Sequence, residues 1–228
     1  VGAWASRPCE WLCIQWSTVA DQRIQKRRGA YLPHWTTAEG IYNVRFRLVD
    51  SVPKEKLDDW RFEQNEILSL AKRQKRDLTY QERIDLLRLH TDSVERFLRS
   101  GHGSCWLKDD RVAKITADAL KFFDGKRYKL FAWCIMPNHL HVVLRSFPSF
   151  PLPDIAHSWK SFTSKEANKI IGRKGIFWQS EYFDRLIKNM DQLKYTIEYI
   201  WSNPELAGLK DWRWRWKIDE DQLDSISF

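Results

Sequence analysis

The chain lacks any apolar run long enough to cross a bilayer, which takes about 20 consecutive apolar residues, and its mean hydropathy is −0.56. A soluble protein acting away from the membrane is therefore expected. Its first residues, VGAWASRPCEWLCIQW, lack the basic start and following apolar stretch of a secretory signal, and the opening Val suggests a truncated or unusually started chain. Cysteine is scarce. Cys9, Cys13, Cys105 and Cys134 provide no paired zinc spacing, only a lone Cys-x3-Cys half-site, and Cys134 sits in a strand-like run as a small core residue. A reducing, cytoplasmic setting follows. No internal repeat is visible, and residues 54–99 contain neither glycine nor proline.

What is present points toward a polyanionic partner. Hydrophobic residues make up 43% of the 228, enough for a packed core. Lysine and arginine number 38 against 30 aspartates and glutamates, a net charge of +8. A basic soluble domain gains affinity for nucleic acid through counterion release. Thirteen tryptophans and seven tyrosines exceed what a core of this size needs. Some suit stacking on unpaired bases; others simply fill the core.

Periodicity divides the chain. Residues 20–30 (ADQRIQKRRGA) look like a solvated basic arm, part of an unassigned N-terminal segment 1–30. Residues 41–48 alternate as a strand, with Tyr42, Val44, Phe46 and Leu48 on one face and Arg45 and Arg47 on the other. Residues 54–99 are helical in composition, split near Thr79, which with Glu82 forms a capping box. A helix over 109–123 follows, with Val112, Ile115, Ala119 and Phe122 at helical spacing. Residues 128–136 and 139–144 read as a hairpin, 155–171 as a helix, and 182–187 as a further extended piece. A last helix over 192–202 takes Asp191 as its N-cap and stops at Asn203-Pro204. The tail, 210–228, alternates Trp212, Trp214 and Trp216 with charge, as an edge strand would. This order suits an α+β sandwich with helices on one face of an antiparallel sheet.

The chemistry concentrates at His139-Leu140-His141. On a strand, two histidines one residue apart share a face, and two neutral imidazoles can hold a divalent cation able to polarise a phosphodiester. Two half-buried histidines on a polar strand face would look the same. The last helix adds Tyr195, Tyr199 and Asn203 at i, i+4, i+8, on one stripe. Leu193, Ile197, Ile200 and Trp201 form a separate core stripe.

IMPNHLHVVL resembles the His-hydrophobic-His motif of the IS200/IS605-like single-tyrosine transposases. YLPHWTTAEGIYNVRFRL, SGHGSCWLKDDRVA, HSWKSFTSKEANKIIGRKGIFWQSEYFDRLI and YTIEYIWSNPELAGL resemble blocks of their relatives, the REP-associated tyrosine transposases. The resemblance runs over residues 31–209 and implies a ferredoxin-like α+β domain, an antiparallel sheet with helices packed on it; the helical stretch at about 54–99 is longer than that family needs and departs from it as an insertion after the first strand. It makes His139 and His141 metal ligands and Tyr199 the nucleophile. Asn203 stands where those transposases usually carry glutamine and becomes the third ligand, suited to Mg²⁺ or Mn²⁺ together with water. Tyr182 and Tyr195 are rival nucleophiles.

The reaction so implied is metal-assisted transesterification of single-stranded DNA, forming a 5′-phosphotyrosine and a free 3′-OH. The implied partner is a REP-like palindrome folded as a hairpin, with no membrane involved and the protein a monomer or homodimer in the cytoplasm, on the nucleoid. Arg45, Arg47, Lys160, Arg173, Lys174, Trp178 and Arg185 are candidate DNA contacts, and His34, His102 and His157 could approach the site. Two other readings stay open: a catalytically silent regulator on the same fold, and a metal-dependent RNA-processing enzyme using water. The sequence names no group that activates Tyr199.

Overall fold

The computed structural model describes residues 25–28, 33–37, 39–223, 226 and 228. Apart from Gln25–Arg28, the N-terminal segment 1–30, with Cys9 and Cys13, lies outside the described residues. The described chain forms two compact units, one built on Val52–Phe97 and the other on Arg23–Ser51 with Leu98–Phe228.

The first unit is helical throughout. Helix α1 (Lys54–Arg73) is followed by α2 (Tyr80–Arg88), a single π turn (Leu89–Ser93) and α3 (Val94–Arg99), which carries the chain into the second unit. The capping box read from the sequence is present. Thr79 Oγ1 accepts from the Glu82 N–H at 3.2 Å, and the Glu82 carboxylate accepts from the Thr79 N–H at 2.8 Å. Arg76 adds a two-pronged grip on the same carboxylate, both bonds at 2.7 Å.

The second unit has a ferredoxin-like topology. Strands β1 (Gln25–Arg28) and β2 (Pro33–Thr36) pair antiparallel as a small separate ribbon, so this part of the expected basic arm is a strand. The main elements are β3 (Ile41–Arg47), α4 (Asp110–Lys121), β4 (Tyr128–Ile135), β5 (His139–Ser146), α5 (Leu152–Ile170), β6 (Phe183–Ile187), α6 (Met190–Trp201), α7 (Asn203–Leu206), β7 (Arg215–Lys217) and α8 (Glu220–Leu223). The sheet order is β6-β3-β5-β4-β7, antiparallel throughout. Each of the crossovers β3-α4-β4 and β5-α5-β6 leaves one strand slot between its ends, and a strand of the other crossover fills it. The tail contributes the fifth strand, β7, along the edge of β4.

Both faces of the sheet are covered. Tyr42, Val44 and Phe46 of β3, Leu130 and Trp133 of β4, and Leu140, Val142 and Leu144 of β5 pack beneath α4 and α5. Phe131, Ala132, Cys134 and Val143 pack beneath α6, with Leu193, Ile197 and Ile200. A register shift between Leu130 and Ala132 turns two successive β4 residues, Phe131 and Ala132, toward α6. The expectation of helices on one face is corrected here: the second face is apolar too, and α6 closes it.

Other boundaries also differ. The buried residues of α4 are Val112, Ala113, Thr116, Ala117, Ala119 and Leu120, with Ile115 partly buried against the core, while Phe122, the C-cap residue, is 70% exposed. The N-cap of α6 is Asn189, whose side chain accepts from the Gln192 N–H, rather than Asp191. Beyond Ser202 the chain makes one more helical turn, α7, instead of stopping; Pro204 stands in its first turn, where a missing N–H costs nothing.

The Arg76 guanidinium, helped by the Thr79 N–H, holds the Glu82 carboxyl down to about 2 from its ordinary 4.5. A carboxylate depressed in the folded state stabilises above its unfolded value and loses that contribution as pH falls through its folded value. The melting-midpoint gap between the wild type and Glu82→Gln should be constant above about pH 5 and close as the pH approaches 2. A gap of unchanged size at pH 2 would refute this account of the cap.

Candidate active site

The site is laid out by the alternation of β5, which lies at the centre of the sheet. With Leu140, Val142 and Leu144 in the core beneath α4 and α5, His139, His141 and Val143 face α6. The two imidazoles are 0% and 2% exposed. Their centroids lie 5.0 Å apart at 81°, and a ring nitrogen of each is within 4.8 Å of the other. Strand pairing sets Arg47 opposite His139 and Arg45 opposite His141, and Arg185 opposite Asn43 on the far side of β3. Arg45, Arg47 and Arg185 therefore share the sheet face of the histidine pair. The Arg45 guanidinium lies 5.0 Å over the Phe183 ring.

His139 is oriented by a residue that sequence reasoning treated only as a turn. Asn138 Nδ2 donates to the His102 carbonyl at 2.9 Å, which fixes which way the amide points. Its Oδ1 then lies 2.7 Å from His139 Nδ1. An amide oxygen only accepts, so Nδ1 carries the proton, which makes Nε2 the nitrogen that offers a lone pair whenever the ring is neutral. The 101–104 loop supplies the anchoring carbonyl. There Gly103 has φ +87°, and a Cβ would stand 2.6 Å from the Asp50 carbonyl oxygen, so only glycine fits. Ser104 closes the same contact through its N–H, 2.8 Å from Asp50 Oδ2. The MPN preceding the histidines and the GHGS at 101–104 were the available signals.

Helix α6 brings up the remaining parts. Its buried Leu193, Ile197 and Ile200 seat it on the sheet, which turns Tyr199 toward the histidines. The Tyr199 ring is 6.4 Å from that of His141 at 89°, and Tyr195 stacks on its outer side at 6.5 Å, 61% exposed. Arg99 Nη2 donates to the Tyr199 hydroxyl at 3.1 Å, its guanidinium carbon 5.9 Å from the ring centroid. One turn on, Asn203 is fully buried. Its Nδ2 lies 3.1 Å from His141 Nε2, and its Oδ1 is buried with no hydrogen-bond partner. A half-turn of the amide would exchange the two, setting a carbonyl oxygen beside the imidazole lone pair. Two imidazole nitrogens and one neutral oxygen suit a divalent cation that keeps water in its remaining positions. The donor set fits such an ion.

The other nominated residues fall elsewhere. Tyr182 packs on Phe46, 5.6 Å away, against the core beneath α4 and α5 and so on the opposite sheet face from the histidines. Trp178 is corrected as a stacking platform. It is 4% exposed, with its N–H given to Thr163 Oγ1 at 2.7 Å, so no ring face is open to a base. The Lys160 ammonium donates to the carbonyls of Gln179 and Ser180 at 2.7 and 2.5 Å, and burial brings it down to about 8. That makes it a clamp on the loop before β6. Arg173 lies 4.0 Å over Trp106, Lys174 is exposed nearby in sequence, and His157 is exposed on α5, away from the pair. His102 contributes its carbonyl, its side chain being exposed, and His34 falls on β2.

Residues 106–203 match the family described as "Transposase IS200 like". A REP-associated tyrosine transposase of Escherichia coli (strain K12) is 26% identical over 101 residues, 41% of this chain; the chain spans 56% of the length of that curated relative. Among solved structures, a REP-associated tyrosine transposase bound to a REP hairpin superposes with a TM-score of 0.41 at 15% identity, over 84% of this chain and 82% of that one. A Deinococcus radiodurans R1 protein gives 0.29 at 12% identity, over 78% and 98%. The resemblance to the REP-associated and IS200-like transposases read from the sequence holds. No helix among the described residues is long and apolar enough to cross a membrane.

If Asn138 sets the tautomer, ¹⁵N imidazole shifts of the metal-free protein should show His139 protonated at Nδ1 and bare at Nε2. Asn138→Leu should give a mixture of tautomers. Finding Nε2 protonated in the wild type would contradict the arrangement.

Proposed function

We propose, from the IS200-like transposase segment at residues 106–203, that the chain nicks and rejoins single-stranded DNA at hairpin-forming, REP-like palindromes. The transposase domain in this reading extends over residues 31–209, with about 54–99 as an insertion and 210–228 as a Trp-rich tail that adds the edge strand β7. The reading rests on one juxtaposition: Tyr199 and Asn203, one helical turn apart, both meet His141 from α6 and α7.

His139, His141 and Asn203 would hold Mg²⁺ or Mn²⁺, which when bound supplies positive charge to the scissile phosphate and the departing oxygen. The phenolic oxygen of Tyr199 attacks phosphorus and the bond to the 3′-oxygen breaks, leaving a 5′-phosphotyrosine and a 3′-OH. The proton lost by Tyr199 is balanced by the one the 3′-oxygen gains. No phosphoester is spent, so the reverse attack reseals the strand. A tyrosine of ordinary pKa, about 10, is a weak nucleophile at neutral pH. Arg99, donating to that oxygen, is the group that steadies its charge as the proton leaves. Arg45, Arg47 and Arg185, on the same sheet face, serve the phosphates of the incoming strand.

A denaturing gel with hairpin oligonucleotides and Mg²⁺ or Mn²⁺ tests this. The wild type should form a metal-dependent covalent adduct, and Tyr199→Phe none, whereas Tyr195→Phe and Tyr182→Phe should keep it. Arg99→Ala should slow adduct formation about 10²- to 10³-fold, as loss of one charge-stabilising donor does elsewhere. An adduct surviving in Tyr199→Phe would move the nucleophile. Cleavage without adduct would favour a water-using enzyme, and hairpin binding with neither would favour the silent regulator.

A further inference from the structure

We propose a second nucleic-acid site: a pocket at the β4–β7 edge, on the sheet face opposite His139 and His141, that takes one unpaired nucleotide. DNA as the source of that nucleotide rests on the function proposed above. The cavity, about 480 Å³, opens between α4 and the tail, and is lined by Lys114, Lys121, Trp133, Arg213, Trp214 and Trp216 among others. Its volume is in the range of small-ligand pockets, roughly 300–1,000 Å³.

Three features define what it would accept. The first is a flat apolar wall. Trp216, 36% exposed, and the half-buried Trp214 offer it, and Trp133, the direct cross-strand partner of Trp216, lies 4% exposed beneath them as its floor. The Trp214 N–H is tied to Asp110 Oδ1 at 2.7 Å, which holds that ring in place. The second is an unused donor. Trp133 is 4% exposed and its indole N–H is buried without an acceptor, an arrangement that costs free energy and that a ligand relieves only if the ring shifts to bring the N–H to the pocket. The third is positive charge. Lys121 Nζ lies 5.2 Å from the centroid of the Trp133 ring, and Arg213 reaches over Trp214 at 4.9 Å while bonded to Asp110. Lys114 is paired with Asp118, and Arg215 is turned away toward Trp201 and Glu205.

A nucleotide answers all three at once: a π-face for the indoles, a ring carbonyl or nitrogen to accept the N–H, and a phosphate for Lys121 and Arg213. An apolar ligand would leave the N–H unsatisfied, and a simple anion would leave the indole faces in water. A paired base has both faces stacked, so the nucleotide must be unpaired. Because the pocket and the histidine pair lie on opposite faces, a strand using both wraps the β4–β7 edge.

The test uses the full chain carrying Tyr199→Phe, so that binding is read apart from covalent chemistry. The probe is a single-stranded oligonucleotide with 5-iodouracil in its unpaired segment, photo-cross-linked and mapped by mass spectrometry, alongside anisotropy titration at fixed salt. Cross-links should map to Trp133, Trp214 or Trp216 and be competed by the same single strand, not by its duplex. Trp216→Ala, at a surface position, should weaken single-strand binding about tenfold, and Trp133→Phe, which deletes the N–H, about three- to tenfold. Cross-links mapping elsewhere, with Trp216→Ala binding like the parent, would overturn the proposal. If the Tyr199-intact protein forms no adduct but the cross-links map here, the pocket stands and the cleavage reading falls. If the adduct forms and the cross-links map elsewhere, the reverse holds.

Discussion

Strand β5 places its histidines on one sheet face and Leu140, Val142 and Leu144 on the other, and the rest of the molecule is arranged around that division. The strand is hydrogen-bonded on both sides, to β3 and to β4. A slip of one residue would exchange the two faces. It would expose three core aliphatic side chains, each worth roughly 1.5–3 kcal/mol when buried, and drive two imidazoles into the core beneath α4 and α5. The positions of His139 and His141 are therefore fixed by core packing, and no local contact has to hold them there.

What local contacts do is set orientation. Gly103 lets the 101–104 loop close on Asp50, the loop offers the His102 carbonyl, and Asn138 spans from that carbonyl to His139, holding the Nδ1 proton toward its amide oxygen. On the other side, Asn203, one turn beyond Tyr199 at the start of α7, reaches His141 at 3.1 Å. These supports are polar and directional, where the scaffold beneath them is apolar and geometric. This is the usual division between a rigid core and the groups that aim its functional side chains.

The tryptophans separate along the same line. Trp159 and Trp178 lie in the core and give their N–H groups to Tyr128 and Thr163. Trp212 fastens the tail by donating to the Ile135 carbonyl at 2.7 Å. Lys217 ties the same tail to Glu198 of α6. Around Trp133, Trp214 and Trp216, indole rings, a buried N–H without an acceptor and cations share one cavity. Aromatic excess in the composition thus has several causes, and burial and hydrogen bonding distinguish them residue by residue.

Local pattern in the sequence determined the elements: the alternation of β3 and β5, the Thr79–Glu82 cap, the hairpin around Pro137-Asn138, and the Tyr-x3-Asn stripe. Each depends on residues within a turn or a strand's length, where period and capping chemistry act directly. Tertiary structure alone decided that Tyr199, and not Tyr182, stands beside His141, because Tyr182 falls on the opposite face of the sheet once β6 pairs with β3. It decided as well that Trp178 is buried, that Phe122 is not, and that α6 closes the second face. Arg99 reaches Tyr199 across a hundred residues of chain. Strand order and helix seating create such meetings, and they are set by the packing of the whole sheet, which no single segment's periodicity contains.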